Sequence, residues 1–318
     1  MGSGRPGPAA MRSTRPGAVP EPPLAVTIDL WYTLLAFSRA GPRVYERNRR
    51  AAWVEPLVAG GLPLRAAEDA VRAMEEWASR RETTGRSVSL VAQAAEIRRL
   101  TRVRPDPGRV GHSIAFALAS ANLRWQVGIH RTLRTLRRQG LKVGIVSNIL
   151  YEPPEAARGL LRRLGGPGFF DAIVLSADGP DAKPSPAMIR RASRALGVPP
   201  NRLLHIGDSP ADLLAAHRAG VAFVRFTGRP HLPVAARRIR FPPVRYPVVR
   251  TWKELADRFD EIWLAAAAAR DRALRRAHSA RAGPRRRAGP RATARSTRRA
   301  TSPRGRRSRT PRARRPRG

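Results

Sequence analysis

Side chains suited to hard-cation and phosphate chemistry stand where short apolar runs end in this chain. Asp29 closes the run Leu24-Ala-Val-Thr-Ile and opens a D-x-x-x-T turn that ends at Thr33. Ser147-Asn148 closes a second run. Gly207-Asp208-Ser209-Pro210-Ala211-Asp212 follows a third, setting two carboxylates at a strand mouth and the start of the next helix. Lys183-Pro184 lies between these segments, in a loop just ahead of a helix. Carboxylates converging at strand ends make an oxygen-rich site that suits Mg²⁺, which keeps most of its waters and takes phosphate oxygens as further ligands. A nearby lysine and a strand-end hydroxyl would neutralise and orient the same phosphoryl group. A carboxylate beside such a metal can be the nucleophile, giving an aspartyl-phosphate that water then opens.

The elements that must carry these groups follow from periodicity. Continuous apolar runs at Leu24–Asp29, Leu141–Val146, Ala172–Leu175, Leu203–Ile206, Val221–Phe226 and Val248–Val249 predict strands. Between them, helical spacing covers Ile129–Gln139, Pro154–Leu164, Pro186–Leu196, Pro210–Ala219 and Trp252–Trp263, with Gly140, Gly197 and Gly220 as C-terminal stops. Short apolar strands alternating with helices predict an α/β fold with a parallel sheet covered on both faces. Functional groups in such sheets gather at the carboxyl ends of strands. Residues 44–121 break the alternation and predict helices over Val44–Leu57, Ala66–Ser79, Leu90–Leu100 and Ile114–Leu123. A second, all-helical unit inserted after the first strand accounts for them.

Four motifs in order make the chain resemble the haloacid dehalogenase-like hydrolase superfamily. They are Val26-Thr-Ile-Asp29-Leu-Trp-Tyr-Thr33-Leu, Gly144-Ile-Val-Ser147-Asn148, Lys183-Pro184-Ser-Pro, and Leu203-Leu-His-Ile-Gly-Asp208-Ser-Pro-Ala-Asp212-Leu. The resemblance implies a Rossmann-like three-layer core over residues 23–37 and 126–266, with a helical cap over residues 38–125. It implies Asp29 as nucleophile and Mg²⁺ ligand, Thr33 as the residue closing the nucleophile turn, and Ser147 and Lys183 as phosphoryl binders. It further implies Asp208 as the second metal carboxylate, Asp212 as the acid holding the metal shell, and the carbonyl of Trp31 completing the site. Trp31 and Asn148 are the expected substrate-side residues.

The pattern departs from the family's phosphatases at Trp31, where they carry a second aspartate that protonates the leaving group and then activates water. General acid–base help is worth roughly 10²–10⁴-fold in rate. Family dehalogenases carry an aromatic residue there and use no metal, but have a neutral group where this chain has Asp208. A spare carboxylate beside Asp29 without a cation would raise the pKa of both groups. The sequence therefore favours a Mg²⁺-dependent phosphohydrolase of a small phosphorylated metabolite. A metal-independent 2-haloacid dehalogenase-like enzyme and a non-catalytic binder of phospho-ligands or nucleic acid remain as alternatives. His205, inside an apolar strand, is expected to be structural, and Trp53, Trp77 and Trp125 to belong to the cap core or its hinges.

The charge balance tests the nucleic-acid alternative. The chain has 62 Lys+Arg against 23 Asp+Glu, and only three of the cations are Lys. From Ala265 onward there are 20 Arg and one acid, Asp271, so about half of the +39 excess sits at one end. That segment has no aromatic residues interleaved for base stacking. Together with the abundant Ala, Pro and Gly, the Arg bias reads as GC-rich codon usage, and nucleic-acid binding is not favoured. Residues 1–22 and 267–318 are expected to be disordered tails, since neither carries a periodic apolar face. Absence of Cys excludes disulfides, thiolate metal sites and thiol catalysis. With no apolar run near the ~20 residues of a membrane helix and no secretory signal pattern, a cytoplasmic location is expected.

Overall fold

The computed structural model describes residues 20–38, 40–228 and 239–281. The expected tails over 1–19 and 282–318 lie outside the described residues. Strands β1 (Ala25–Ile28), β4 (Lys142–Ser147), β5 (Ala172–Leu175), β6 (Leu203–Gly207), β7 (Ala222–Phe226) and β8 (Val248–Val249) form one sheet in the order β5-β4-β1-β6-β7-β8. All neighbouring strands in it are parallel. Alternation along each strand divides the core into two layers. Val26, Ile28, Val143, Ile145, Leu204 and Ile206 face helices α5 (Ile129–Arg138), α6 (Pro154–Arg163), α9 (Trp252–Asp257) and α10 (Phe259–Arg281). Ala25, Val146, Leu203 and Phe223 face α7 (Ala187–Leu196) and α8 (Pro210–Ala219). The expected three-layer α/β arrangement is present.

Between the first strand and α5 the chain forms four further helices: α1 (Gly41–Ala59), α2 (Leu64–Thr83), α3 (Leu90–Thr101) and α4 (Pro107–Ala119). They bury a separate cluster that includes Trp53, Leu57, Val71, Met74, Ile97 and Ile114. The chain enters and leaves this layer through an antiparallel ribbon of β2 (Leu35–Phe37) and β3 (Leu123–Trp125). Periodicity did not foresee the ribbon, because three residues are too few to display a period of two. Trp53 is fully buried among the four helices, and Trp125 sits in β3, its indole N–H donating to the Leu164 carbonyl at 2.8 Å.

Two expected boundaries move. The helix placed at Ile114–Leu123 begins at Pro107 and ends at Ala119, because Asp106 caps it by accepting from the Gly108 amide at 2.8 Å. Proline at the first helical position has no N–H to orphan, so the Pro-Asp-Pro-Gly segment starts a helix as well as breaking the one before it. The core also continues past residue 266 into what was expected to be tail. Helix α10 runs to Arg281, with Ala267 and Ala269 buried and the Arg270 guanidinium donating to the Asn201 carbonyl at 2.5 Å. Small alanines there let the helix lie close to the sheet, which a search for large apolar residues overlooks.

Candidate active site

The carboxyl ends of β1, β4 and β6 lie side by side at the centre of the sheet, and the motif residues meet there. Asp29 follows β1 and stays in register with β6 through its amide, which donates to the Ile206 carbonyl at 2.9 Å. The turn after it is closed by the Leu34 and Leu35 amides, both donating to the Leu30 carbonyl. It is braced from below by the Trp252 indole, which donates to the Thr33 carbonyl at 3.2 Å. The Thr33 hydroxyl donates to Asp208 Oδ1 at 3.3 Å, tying the first motif to the last.

Lys183 is the hub. The residue is 2 % exposed, and its ammonium donates to Asp29 Oδ1 at 2.5 Å, Asp212 Oδ1 at 2.5 Å and the Val146 carbonyl at 2.8 Å. Asn148 holds the lysine backbone in a reciprocal clamp. Its Oδ1 accepts from the Lys183 amide at 2.7 Å, and its Nδ2 donates to the Lys183 carbonyl at 2.9 Å. Ser147 lies fully buried at the end of β4. One ligand oxygen from each of Asp29, Asp208 and Asp212 falls within 4.8 Å of the others. Three carboxylates facing one ammonium leave uncompensated negative charge, and the donors are all hard oxygens; such a set fits a divalent cation like Mg²⁺.

Asp212 is more committed than its neighbours. Oδ1 accepts from Lys183 and pairs with His205 Nε2 at 3.1 Å; Oδ2 accepts from the Ser209 amide at 3.0 Å and the Ser209 hydroxyl at 2.5 Å. A carboxylate has about four acceptor positions, and these partners use them. His205, expected to be structural, is thus a hydrogen-bond partner of a motif residue, its other nitrogen being 3.0 Å from the Thr27 hydroxyl. Asp212 also comes so close to β6 that a Cβ at residue 207 would lie 2.4 Å from its Cγ, so only glycine fits there. The Ser209-x-x-Asp212 capping box was a legible signal for this geometry.

The electrostatics follow from burial and crowding. Burial pushes the Asp29 carboxyl up to about 6, Lys183 pulling against it and Asp212 adding to it. Burial, then Asp29 and Asp212, hold Asp208 well above the usual carboxylate range. Burial opposes ionising Asp212, yet Lys183 and His205 keep it well below that range. Burial likewise opposes charge on Lys183, but Asp212 and Asp29 outweigh it and hold the ammonium firmly protonated. Burial keeps His205 below its ordinary value, despite its hydrogen bond to Asp212.

Trp31 is half-buried beside the nucleophile turn, its ring stacked on Phe37 at a centroid distance of 6.4 Å. The four-helix layer grips the loop after Ser147, which sequence reasoning did not foresee. The Tyr45 hydroxyl donates to Glu152 at 2.5 Å, Gln93 donates to the Leu150 carbonyl at 2.7 Å, and the Arg49 guanidinium lies 3.9 Å from the Tyr151 ring centroid. A second contact joins the turn after α2 to the Lys183 loop. There the Ala182 amide donates to the Gly85 carbonyl at 2.9 Å, and the Ser87 amide to the Pro180 carbonyl at 2.9 Å.

The family model of haloacid dehalogenase-like hydrolases matches residues 25–220, from β1 through α8. The chain belongs to this family. Among sequence relatives of this haloacid dehalogenase-like hydrolase is a phosphoglycolate phosphatase of Cereibacter sphaeroides. It is 36 % identical over 108 residues, or 34 % of this chain and 47 % of the relative. Pyrophosphatase PpaX of Halalkalibacterium halodurans is 36 % identical over 94 residues, covering 30 % of this chain and 42 % of the relative. The chain matches less than half the length of these relatives. Crystal structures with the same fold include CbbY from Rhodobacter sphaeroides in complex with phosphate, at TM-score 0.50 and 20 % identity, covering 73 % of this chain and 96 % of that one. A 2-haloacid dehalogenase from Pseudomonas syringae pv. Tomato DC3000 aligns at TM-score 0.52 and 20 % identity, covering 74 % and 98 %. No helix among the described residues is long and apolar enough to cross a membrane.

Proposed function

We propose that this haloacid dehalogenase-like hydrolase is a Mg²⁺-dependent phosphohydrolase of small phosphorylated metabolites that works through an aspartyl-phosphate on Asp29. The observation that carries this reading is the excess of carboxylates over cations around Lys183, with Asp208 retained beside Asp29. A carbon-attacking enzyme without a metal gains nothing from Asp208, whose charge opposes ionisation of the nucleophile. The sequence relatives named above are a phosphatase and a pyrophosphatase, which agrees with phosphorus as the target.

Asp29, Asp208 and the Trp31 carbonyl would hold the cation directly. Asp212, its acceptors already committed, would hold Lys183 and the turn of the last motif in place. When bound, the cation supplies Lewis-acid stabilisation of the phosphoryl oxygens and screens their repulsion from the carboxylates. Lys183 keeps Asp29 ionised and, with Ser147, binds the transferred phosphoryl group. Asn148 fixes the lysine backbone, so that the ammonium cannot drift from the nucleophile. Residues 38–125 act as a cap whose contacts with the 149–153 and 180–185 loops close the site and shape its specificity. Trp31 forms one wall of the pocket.

An aryl phosphate assayed with Mg²⁺ and with EDTA, beside halide release from 2-chloropropionate, tests the proposal. Metal-dependent phosphate release, lost in Asp29→Asn, is expected. Halide release without metal would refute it in favour of the dehalogenase reading, which the aromatic Trp31 beside the nucleophile supports.

A further inference from the structure

If the chain is a phosphohydrolase, as proposed above, one reacting group is missing from its first motif. Trp31 cannot transfer a proton, so the leaving oxygen and the attacking water need another partner. Candidates are the titratable groups that the other elements bring to the mouth of the sheet.

Helix α2 delivers one that no motif includes. Glu82 stands in its last turn, half-buried, and Thr83 ends the helix. The turn after it is docked on the Lys183 loop by the Gly85–Ala182 and Ser87–Pro180 backbone hydrogen bonds, which pair Arg86 with Asp181 as a one-residue antiparallel β-bridge. Gly85 takes φ +87° there, and a Cβ would lie 3.0 Å from Ser185, so the approach is as close as the backbones permit. The Gly85 amide in turn donates to the Glu82 carbonyl at 2.8 Å. Glu82 is therefore fixed relative to Lys183 through a few residues of ordered backbone.

Its surroundings are unusual for an acid in a chain with 62 Lys and Arg. Among the described residues Glu82 forms no ion pair. Its neighbour Arg80 pairs with Glu76, and Arg81 lies over the Trp77 ring. The groups acting on the Glu82 carboxyl are Glu152, Lys183, Asn148 and Asp29, with Tyr151 also within electrostatic reach. Asn148 uses one amide hydrogen on the Lys183 carbonyl, which leaves the other for Glu82.

We propose that Glu82, carried in from the helical layer, is the general acid and base that Trp31 displaces from the first motif. In the first step an Asp29 carboxylate oxygen bonds to phosphorus and the P–O bond to the leaving group breaks. The Glu82 proton passes to that oxygen, releasing an alcohol and leaving Glu82 as carboxylate. In the second, a water oxygen bonds to phosphorus and the P–O bond to Asp29 breaks. The water proton returns to Glu82, restoring both side chains and releasing phosphate. Burial pushes the Glu82 carboxyl up to about 7, with Glu152 and Asp29 adding and Lys183 and Asn148 opposing. Both protonation states are then available near neutral pH, where acid–base catalysis is most effective. The nearby phenols are less suited, since burial and then Asp208 push Tyr32 up to about 12, and burial also raises Tyr45 and Tyr151.

The test compares leaving groups in the full-length protein with Mg²⁺ present, using glycerol 2-phosphate and 2,4-dinitrophenyl phosphate. Glu82→Gln should lower kcat/KM for glycerol 2-phosphate roughly 10²–10⁴-fold. First-turnover release of dinitrophenolate, which needs no proton, should change less than about 10-fold. Because the same variant lacks the base, dinitrophenolate should appear as a burst followed by a slow steady state. The basic limb of the glycerol 2-phosphate pH profile, expected near pH 7 in the wild type, should be absent from the variant. Equal loss on both substrates, or no loss on either, would overturn the role of Glu82 while leaving the phosphohydrolase reading intact. Wild-type protein inert to both esters would overturn that reading, and this role with it.

Discussion

Replacing Asp208 by Asn should stabilise the metal-free protein while removing its response to Mg²⁺. Asp208 is 9 % exposed, and its carboxylate shares a 4.8 Å cluster with Asp29 and Asp212, opposed by the single ammonium of Lys183. Two repulsions and one attraction leave about one uncompensated repulsion on Asp208. Coulomb's law with an effective dielectric of about 20 gives about 3.5 kcal/mol for one such pair at this separation, an upper bound before screening. A net gain of about 1–3 kcal/mol is expected for Asp208→Asn in EDTA at pH 8. The asparagine Oδ1 can still accept from Thr33, so no hydrogen bond need be lost. The sign is set by linkage. The folded-state pKa of Asp208 is raised, so its contribution is intact below the ordinary carboxylate range and is lost as pH rises through the raised value. The difference between variant and wild type should therefore shrink toward pH 4 and grow toward pH 8. Urea denaturation at both pH values, with EDTA and with saturating MgCl₂, measures it. A variant less stable than wild type in EDTA at pH 8, or one still stabilised by Mg²⁺ as much as wild type, would refute the charge-excess reasoning.

Four further outcomes are expected, three from the packing and one from the acid–base assignment. Glu75→Ala should cost about 3–5 kcal/mol in urea denaturation, because it strands the buried Arg49 without its acid partner. Arg49→Ala should cost less, roughly 1–3 kcal/mol, because Glu75 keeps its ion pair with Arg50 at 2.9 Å. Trp252→Ala should cost about 3–5 kcal/mol and lower turnover as well, since the fully buried ring stacks on Phe226 and its N–H braces the nucleophile turn. Adding Trp31→Asp to Glu82→Gln should restore turnover of glycerol 2-phosphate by 10-fold or more, towards the roughly 10²–10⁴-fold that acid–base help supplies; an unchanged rate in the double variant would argue against a shortage of acid.

Much of the core was legible because its signals are local. Val143 to Val146 form an uninterrupted apolar run apart from Gly144, and both faces of β4 are indeed buried. Gly197 and Gly220 stop α7 and α8 in the left-handed conformation that glycine tolerates best. The ribbon β2–β3 was not legible, being too short to carry a period. Helix α10 was read as ending early because its buried face is alanine rather than leucine. Among site residues, the motifs mark Asp29, Ser147 and Asp208 by their positions where strands end, and Lys183 by its place in a loop just ahead of a helix. Glu82 carries no such mark. In the sequence it is one more acid near the end of an Arg-rich helix, indistinguishable from Glu76, which is exposed and paired with Arg80.

By itself, the sequence determined which side chains stand at strand ends and therefore which could share a site, since alternation and glycine or proline stops act over a few residues. It also marked the absence of a proton carrier at Trp31. Only the tertiary structure decided how the charges are divided. Lys183 meets Asp29 across 154 residues and Asp212 across 29, and His205 and Ser209 add further hydrogen bonds to the Asp212 carboxylate. The docking of α2 sets the turn that follows Glu82 against the Lys183 loop. These outcomes depend on how separate layers pack. Packing is set by the summed shape of many side chains, and no local period in the chain records it.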